Sequence, residues 1–267
     1  MMKIGFIGGG NMAEAIITGM VKESFLPSEI YVSEIKKDRL SYLQNKFNIN
    51  SAGEDFFETV ELVILAVKSQ VLFDLMEDIK DDINEKHLVV SIVAGIPSEK
   101  ICKKLSTGHV IRAMPNTPSL IGKGVTVLCQ SSDEISDERI AAVEKIFSSV
   151  GCYKWIEEDC FDAVSAISGS GPAYVYRFIE AMTDSAVALG VPRELAQSLV
   201  IDTIIGGSAM VKETGEHPRV LSDKVTSPGG TTIQGLQAME KSGFSTAVDE
   251  GVKKAYGRSI DLSRGGE

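Results

Sequence analysis

The chain has 267 residues, of which 43% are hydrophobic and 24% are charged. This composition is typical of a globular protein with a hydrophobic core, and it excludes a disordered or fibrous chain. The formal net charge is −10, and neither half of the chain carries the basic excess that binding to a phosphate backbone requires, so nucleic acid is not an expected partner.

The first 160 residues alternate short apolar runs with amphipathic stretches of helical periodicity. Runs such as 62–67 are apolar on both faces, as is typical of strands that helices cover on each side. We therefore predict an α/β domain with a doubly wound, mostly parallel sheet. The predicted strands span 3–7, 30–33, 62–67, 88–93, 110–113, 125–129 and 152–155, and the predicted helices span 12–22, 38–47, 71–79, 97–105 and 137–147.

Beyond residue 160 the strand-like runs disappear and long helical patterns follow. We therefore predict two domains, 1–160 and 161–267, of which the second is all-helical. Its helices combine small residues with isoleucines and have few polar faces. A buried core helix or a subunit interface explains this composition, and both alternatives stay open. The helical patterns cover 173–189, 193–212, 231–241 and 247–262.

A glycine-rich turn joins the first predicted strand to the first predicted helix. Gly8, Gly10 and Ala13 fit the pattern G-x-G-x-x-A, in which the first glycine permits a tight turn and the second lets the backbone approach a pyrophosphate. The helix that begins near Asn11 and Met12 would direct its N–H groups at the phosphates. The turn therefore predicts dinucleotide binding in preference to a merely structural role.

The end of the second predicted strand bears on which dinucleotide binds. Glu34 follows Ser33 there, and a carboxylate in this place hydrogen-bonds the adenosine ribose and repels a 2′-phosphate, which favours NAD. Lys36, Lys37 and Arg39 come next, and they are either ligands for a 2′-phosphate or solvated charges at a helix start. These residues leave the choice between NAD and NADP open.

The chain offers few candidates for the general base that alcohol dehydrogenation requires. Of the three histidines, His87 and His109 lie at predicted strand entrances and His217 lies in a predicted turn. We therefore expect all three to be surface residues without a catalytic role. An imine substrate suits this shortage, because a C=N group can arrive already protonated and needs less acid from the protein.

The second half contains an unusual predicted helix start. Ser227 is interpreted as its N-cap and Pro228 as its first helical residue, with exposed N–H groups at the two glycines that follow. Two glycines in a first turn weaken a helix by roughly 1 kcal/mol each, which argues for a function. Such a start would bind a small carboxylate. The segment continues with Gly229, Gly230, Thr231 and Thr232.

Five short motifs occur one after another along the chain. They are GGGNM at 8–12, LAVK at 65–68, MPNTP at 114–118, SGSGPAY at 168–174 and SPGGTT at 227–232. Together they resemble the pyrroline-5-carboxylate reductase family, and the last two are the most specific. The resemblance covers essentially the whole chain.

This resemblance implies an amino-terminal Rossmann domain followed by a helical dimerisation domain. The implied reaction is the reduction of a small imino acid, 1-pyrroline-5-carboxylate, to L-proline with NAD(P)H, the last step of proline biosynthesis. Members of the family form homodimers, often assembled as five dimers into decamers, with active sites at the dimer interface. Glu34 stands where many members carry a small residue that tolerates NADPH, so it departs from the usual preference.

The resemblance also implies roles for individual residues. It assigns the substrate carboxylate to Ser227 and to the N–H groups of 229–231, and it assigns the hydroxyl of Thr232, as the catalytic group, to the ring nitrogen. Two departures are Ser69, where the family usually has proline, and Thr226, which replaces a frequent serine. The implied cofactor contacts also include Ala66, Val67, Lys68, Val93, Ala94 and Asn116.

Three other functions fit parts of the pattern. One is the reduction of a different cyclic imino acid. A second is β-hydroxyacid dehydrogenation, but the lysine that those enzymes carry four residues before an asparagine on an interdomain helix is missing. A third is a redox sensor that binds NAD(P)H, which would not need the helix start at 227–232.

The spacing of the cysteines and the length of the apolar runs indicate the cellular compartment of the protein. Cys102, Cys129, Cys152 and Cys160 have no spacing typical of a metal or redox site, so we expect no metal and a reducing compartment. No run approaches the roughly 18 apolar residues of a membrane span, and the amino terminus has no cleavable leader pattern. We therefore expect a soluble, cytoplasmic protein without a membrane partner.

Overall fold

A computed structural model of the chain describes residues 2–264. The described residues divide into two units. The first contains residues 2–170 and 255–264, and the second contains residues 171–254. The first unit thus extends beyond residue 160 and takes in the last turns of the final helix.

The first unit is built on a single sheet of eight strands. The strands are β1 (Ile4–Ile7), β2 (Ile30–Ser33), β3 (Asn50–Ser51), β4 (Leu62–Leu65), β5 (Leu88–Ser91), β6 (Val110–Met114), β7 (Gly124–Gln130) and β8 (Gly151–Trp155). Their order in the sheet is β3-β2-β1-β4-β5-β6-β7-β8, and every neighbouring pair is parallel except β6 and β7. This confirms the predicted doubly wound, mostly parallel sheet.

Helices cover both faces of the sheet. Successive residues of each strand point to opposite faces, so each strand contributes apolar side chains to both. Phe6 packs with residues such as Ile16 and Phe147 on one face, whereas its neighbour Ile7 joins Leu72 on the other. Both faces are therefore dry, as the apolar runs predict. The helices of this region are α1 (Asn11–Lys22), α2 (Lys37–Phe47), α3 (Phe56–Thr59), α4 (Ser69–Ile79), α5 (Ser98–Leu105), α6 (Asp137–Ser148) and α7 (Phe161–Ser168).

The structure differs from the predicted elements mainly in short or terminal segments. The two-residue strand β3 and the one-turn helix α3 were not predicted, since neither is long enough to show a periodicity. Strands β4 and β5 each end two residues before the apolar runs do. The freed residues form loops at the carboxyl end of the sheet.

The second unit is entirely helical, as predicted. It contains α8 (Gly171–Ala188), α9 (Arg193–Thr214), α10 (Pro218–Lys224), α11 (Thr231–Lys241) and the first part of α12 (Phe244–Arg264). Many large apolar side chains of this unit are exposed, among them Leu189, Ile205 and Met210. An apolar groove of about 980 Å³ also runs between its helices, lined by residues such as Phe178, Met182 and Phe244. The exposure favours the subunit-interface alternative for these helices over a buried core.

The end of α12 packs within the first unit. The carboxylate of Asp162 in α7 accepts hydrogen bonds from Ser259 Oγ at 2.7 Å and Ser263 Oγ at 3.4 Å. Leu262 lies against Gly95, where an added Cβ would come within 2.8 Å of the Leu262 Cβ. The last turns of α12 are thus fixed beside the loop that follows β5.

No helix within residues 2–264 is both long enough and apolar enough to span a membrane.

Candidate functional site

The glycine turn between β1 and α1 has the geometry that its sequence predicts. Gly8 has a φ of +101°, and a Cβ there would lie 2.6 Å from the carbonyl oxygen of Ala66. Only glycine fits this position. Gly10 faces open space and is the N-cap of α1, with no side chain capping the helix. The first N–H groups of α1, at Asn11 and Met12, are therefore accessible to a phosphate, so the turn fits a dinucleotide.

Neighbouring parallel strands bring the other predicted cofactor residues to the same edge of the sheet. The last residues Ile7, Ser33 and Leu65 of three adjacent strands are in register. The loops beyond them continue the ladder, since Gly8 N donates to Ser33 O at 2.8 Å and Ala66 N donates to Ile7 O at 2.9 Å. Ligands of doubly wound sheets bind at this carboxyl edge. The half-buried Ala66 and Val67, the exposed Lys68 and Ala94, and the buried Val93 all lie here.

Glu34 sits over the glycine turn. Its Oε2 accepts a hydrogen bond from Gly9 N at 2.8 Å, and its Oε1 accepts one from Lys36 N at 2.9 Å. These two backbone donors fix the carboxylate beside the fingerprint. Glu34 is therefore held in the place from which an acidic residue contacts a ribose.

Asn116 follows β6 at the same edge but is buried. Its Nδ2 donates to Ser168 O at 2.9 Å, and its Oδ1 accepts from Val125 N at 2.9 Å. Both polar groups of this amide are thus engaged within the fold. Asn116 thus ties the segment after β6 to Ser168 in α7 and to Val125 in β7.

The segment before α11 is a turn and not a helix start, so the interpretation of Ser227 as N-cap and Pro228 as first helical residue is wrong. Gly230 N donates to Ser227 O at 3.1 Å, and Gly229 has a φ of +69°. Residues 227–230 form a type II turn, which has proline at its second position and a residue of positive φ at its third. The hydrogen bond from Gly230 N to Ser227 O closes this turn, so residues 227–230 are not helical. Helix α11 begins only at Thr231.

The turn nevertheless presents the predicted groups at the amino end of α11. Its N-cap is Gly230, and no side chain caps the helix. A Cβ on Gly230 would lie 2.3 Å from Ser227 Oγ, so the serine hydroxyl occupies the space that the glycine leaves. The side chains of Ser227 and Thr231 are exposed and that of Thr232 is half-buried. Free N–H groups and hydroxyls are the donors that a carboxylate requires.

Thr226, which replaces the frequent serine, is engaged elsewhere. Its Oγ1 donates to Ser222 O at 2.7 Å in α10. This hydroxyl therefore closes the end of α10. The predicted ligand-binding groups of the segment begin at Ser227.

The expectation that all histidines lie at the surface is wrong for His87, which is fully buried. Its Nδ1 accepts from Asn84 N at 3.0 Å, and its Nε2 lies 2.8 Å from Phe57 O, which requires the proton on Nε2. Burial lowers the pKa of His87, with backbone contacts acting in the opposite direction. The imidazole is a neutral structural element that joins α3 to the loop before β5.

The structure also reveals a charged cluster that the sequence did not indicate. Arg39 was considered as a ligand for a 2′-phosphate, but Glu14, Tyr42 and Lys46 were not singled out. Arg39 and Lys46 both pair with Glu14, at 2.6 Å and 2.7 Å. The partners are more than 20 residues apart in sequence, so no local pattern links them.

The predicted site residues thus fall into two groups. The cofactor residues lie in the first unit, at the carboxyl edge of the sheet, and the substrate residues lie in the second unit, at the start of α11.

Comparisons with known proteins find relatives that match both parts of the chain. Residues 158–262 match a family model described as pyrroline-5-carboxylate reductase dimerisation, which indicates self-association, and residues 3–95 match one described as NADP oxidoreductase, coenzyme F420-dependent. The chain is 41% identical over 266 residues to the pyrroline-5-carboxylate reductase of Synechocystis sp., covering 98% of this chain and 99% of the relative.

Two solved structures are similar over nearly their whole length. A pyrroline-5-carboxylate reductase from Coxiella burnetii has a TM-score of 0.89 and 33% identity, with 98% of both chains covered. The Plasmodium falciparum pyrroline carboxylate reductase, solved with NADP bound, has a TM-score of 0.88 and 30% identity, again with 98% of both chains covered.

Proposed function

This chain belongs to the pyrroline-5-carboxylate reductase family, and on that premise we propose that it reduces 1-pyrroline-5-carboxylate to L-proline with NADH or NADPH. The observation that carries the proposal is the segment 227–232, a glycine-containing turn that leads into a helix whose amino end no side chain caps. A protein that only bound a dinucleotide would have no use for this second ligand site.

The substrate carboxylate binds at the start of α11 in this proposal. The hydroxyl of Ser227 and the N–H groups of Gly229 and Thr231 are the donors, whereas the predicted third donor, Gly230 N–H, already donates to Ser227 O within the turn. The positive end of the helix dipole adds to their attraction for a carboxylate. The exposure of Ser227 and Thr231 supports this role.

The carboxyl edge of the sheet would hold the cofactor. The glycine turn at Gly8 and Gly10 would hold the pyrophosphate, and Ser33 and Glu34 would hold the adenosine ribose. When bound, the reduced nicotinamide supplies the hydride that adds to the imine carbon. The residues of this chain hold the reactants in position and do not enter the bond changes themselves.

Thr232 orients the ring nitrogen through its hydroxyl in this proposal. The nitrogen requires one proton in the product, and an imine that binds already protonated brings that proton with it. No histidine is therefore required, and the engagement of both ring nitrogens of His87 by the backbone supports this view.

The helical unit and the cysteines bear on the assembly and the cellular location of the protein. We infer homodimers formed through the helical unit, with five dimers in a decamer as the larger assembly, and a division of roles between domains 1–160 and 161–267. The exposed apolar surface of the second unit supports the dimer. The four free cysteines support a cytoplasmic location.

A spectrophotometric assay tests the reaction. The purified chain is mixed with pyrroline-5-carboxylate and either NADH or NADPH, and proline is identified by mass spectrometry. We expect cofactor oxidation with an equal amount of proline. If both cofactors bind but neither is oxidised, the proposal fails. A six-membered cyclic imino acid and a β-hydroxyacid then test the alternatives, and inactivity with both favours a sensor.

A further inference from the structure

The guanidinium of Arg39 is fixed against the glycine turn. Its Nε donates to Gly9 O at 2.6 Å, and its Nη2 donates to Gly10 O at 3.2 Å. The same Nη2 pairs with Glu14 Oε2 at 2.6 Å. Arg39 thus reaches from α2 to the backbone of the turn and to the first turn of α1, and most of its donors are in use.

Glu14 is the centre of this cluster. Its second oxygen, Oε1, accepts from Tyr42 at 2.9 Å and from Lys46 at 2.7 Å. Burial would raise the pKa of Glu14, but the hydrogen bonds from Lys46, Arg39 and Tyr42 lower it to about 2. The carboxylate therefore stays charged and keeps its partners across the physiological pH range.

Glu34 and Arg39 hold the same peptide group from two directions. The N–H of Gly9 donates to Glu34, and the carbonyl of Gly9 accepts from Arg39. Of the side chains that hold this peptide group, Glu34 suits a ribose 2′-hydroxyl and Arg39 suits a 2′-phosphate, since a carboxylate accepts from the hydroxyl and a guanidinium binds the phosphate. Glu14 adds a charged contact to a guanidinium that the carbonyls of Gly9 and Gly10 also hold, so loss of its charge weakens the hold on Arg39.

We propose that Glu14 is a specificity-determining residue that withholds Arg39 from a 2′-phosphate and so gives this enzyme a preference for NADH over NADPH. The inference rests on the proposed function only in that the glycine turn must bind a dinucleotide. Glu34 would then hydrogen-bond the ribose 2′-hydroxyl without competition from Arg39 for a 2′-phosphate. The paired Arg39 and Lys46 also cancel a carboxylate that would otherwise repel the pyrophosphate at the start of α1.

Direct binding tests the proposal without any imine substrate, so its failure is distinguishable from failure of the reaction. The dissociation constants of NADH and NADPH are measured by fluorescence titration of the full chain. The wild-type protein should bind NADH more tightly. In Glu14→Gln the ratio of the NADPH constant to the NADH constant should fall about tenfold, the value of one charge-assisted contact. Adding Arg39→Leu should cancel this gain.

The matched control is Glu77→Gln. Glu77 in α4 is likewise held by two lysines, Lys80 and Lys104, which lower its pKa to about 2. This variant makes the same change of charge away from the glycine turn, and it should leave the ratio unchanged.

Three outcomes would overturn the proposal. One is a wild-type preference for NADPH, and another is an unchanged ratio in Glu14→Gln. The third needs only Arg39→Leu and remains available if Glu14→Gln fails to fold. Arg39→Leu should weaken NADH and NADPH equally, and a selective loss of NADPH would show that Arg39 already binds the 2′-phosphate.

Discussion

The hydroxyl of Thr232 is the single side-chain group to which the proposed chemistry assigns an orienting role. It lies in the first turn of α11 and is half-buried. Valine has nearly the same shape as threonine but lacks the hydroxyl, so the substitution removes the hydrogen bond with little change of packing.

We expect Thr232→Val to lower kcat roughly 100-fold, because the imine loses the hydrogen bond that orients its ring nitrogen for hydride transfer. The dissociation constant of NADH should stay unchanged, because the cofactor residues lie in the other unit. Steady-state kinetics and fluorescence titration measure the two quantities. Thr203→Val is the control, since the Thr203 hydroxyl only donates to Leu199 O within α9. Equal losses of turnover and NADH binding would contradict the role.

His87 makes the stability of the protein depend on pH. Its pKa is lowered by burial in the folded state, whereas an unfolded histidine titrates near 6.5. Below about pH 6.5 the unfolded chain therefore binds a proton that the folded chain does not. The free energy of unfolding should fall as the pH drops through this window, by at most about 1.4 kcal/mol per pH unit from this group.

Urea unfolding at pH 7.0 and 5.5 measures this dependence. His87→Gln should be less stable at both values, because it disrupts the contacts of the imidazole, but it should show a smaller loss between them. His217→Gln removes an exposed imidazole and serves as the control. If His87→Gln keeps the wild-type pH dependence, His87 is not its source.

At the scale of elements, the turn before α11 depends on a glycine for space. Gly230 has an ordinary φ of −75°, but a Cβ there would displace the hydroxyl of Ser227. Gly235, one turn further along the same helix, has nothing within 4 Å of an added Cβ. A Cβ therefore meets a side chain at the N-cap Gly230 and open space at Gly235 within the helix, so alanine should have different effects at the two positions.

We expect Gly230→Ala to raise the KM for the imino acid about tenfold, the loss of one hydrogen bond to a charged group, without affecting NADH binding. Gly235→Ala should leave the KM unchanged and stabilise the protein by about 0.5–1 kcal/mol, because alanine is the better helix former. Kinetics and thermal unfolding of both variants test this pair. An unchanged KM in Gly230→Ala would remove Ser227 from the site.

The elements that the sequence predicted well are those with a clear periodicity. A long helix buries one apolar stripe, and a buried parallel strand buries both of its faces. The spacing of the apolar residues in the sequence shows each of these patterns. The helix start at Ser227 was predicted wrongly because proline and glycine also suit a type II turn, and only the backbone at Gly229 decides between them.

At the scale of the whole molecule, the apolar surface of the second unit is the main feature that a single chain leaves exposed. Met182 lies in its groove and is 37% exposed. A charged side chain in such an interface would lose its hydration without gaining a partner.

We expect Met182→Glu to convert the assembly to a monomer of 28.7 kDa, measured by light scattering after size exclusion, while the wild-type protein has at least twice that mass. Leu26→Glu is the control, because Leu26 is an apolar residue of the first unit that is more exposed, at 50%. A wild-type monomer would contradict the homodimer.

The family, the fold class and the glycine turn could be determined from the sequence alone, and the structure and comparisons confirm the first two. Local patterns carry this information, since a strand–turn–helix unit is contiguous in the chain. The burial of His87 and the pairing of Glu14 with Arg39 were decided only by the tertiary structure. Their partners are distant in sequence, and the side chains meet because the sheet brings separate loops and helices to one place.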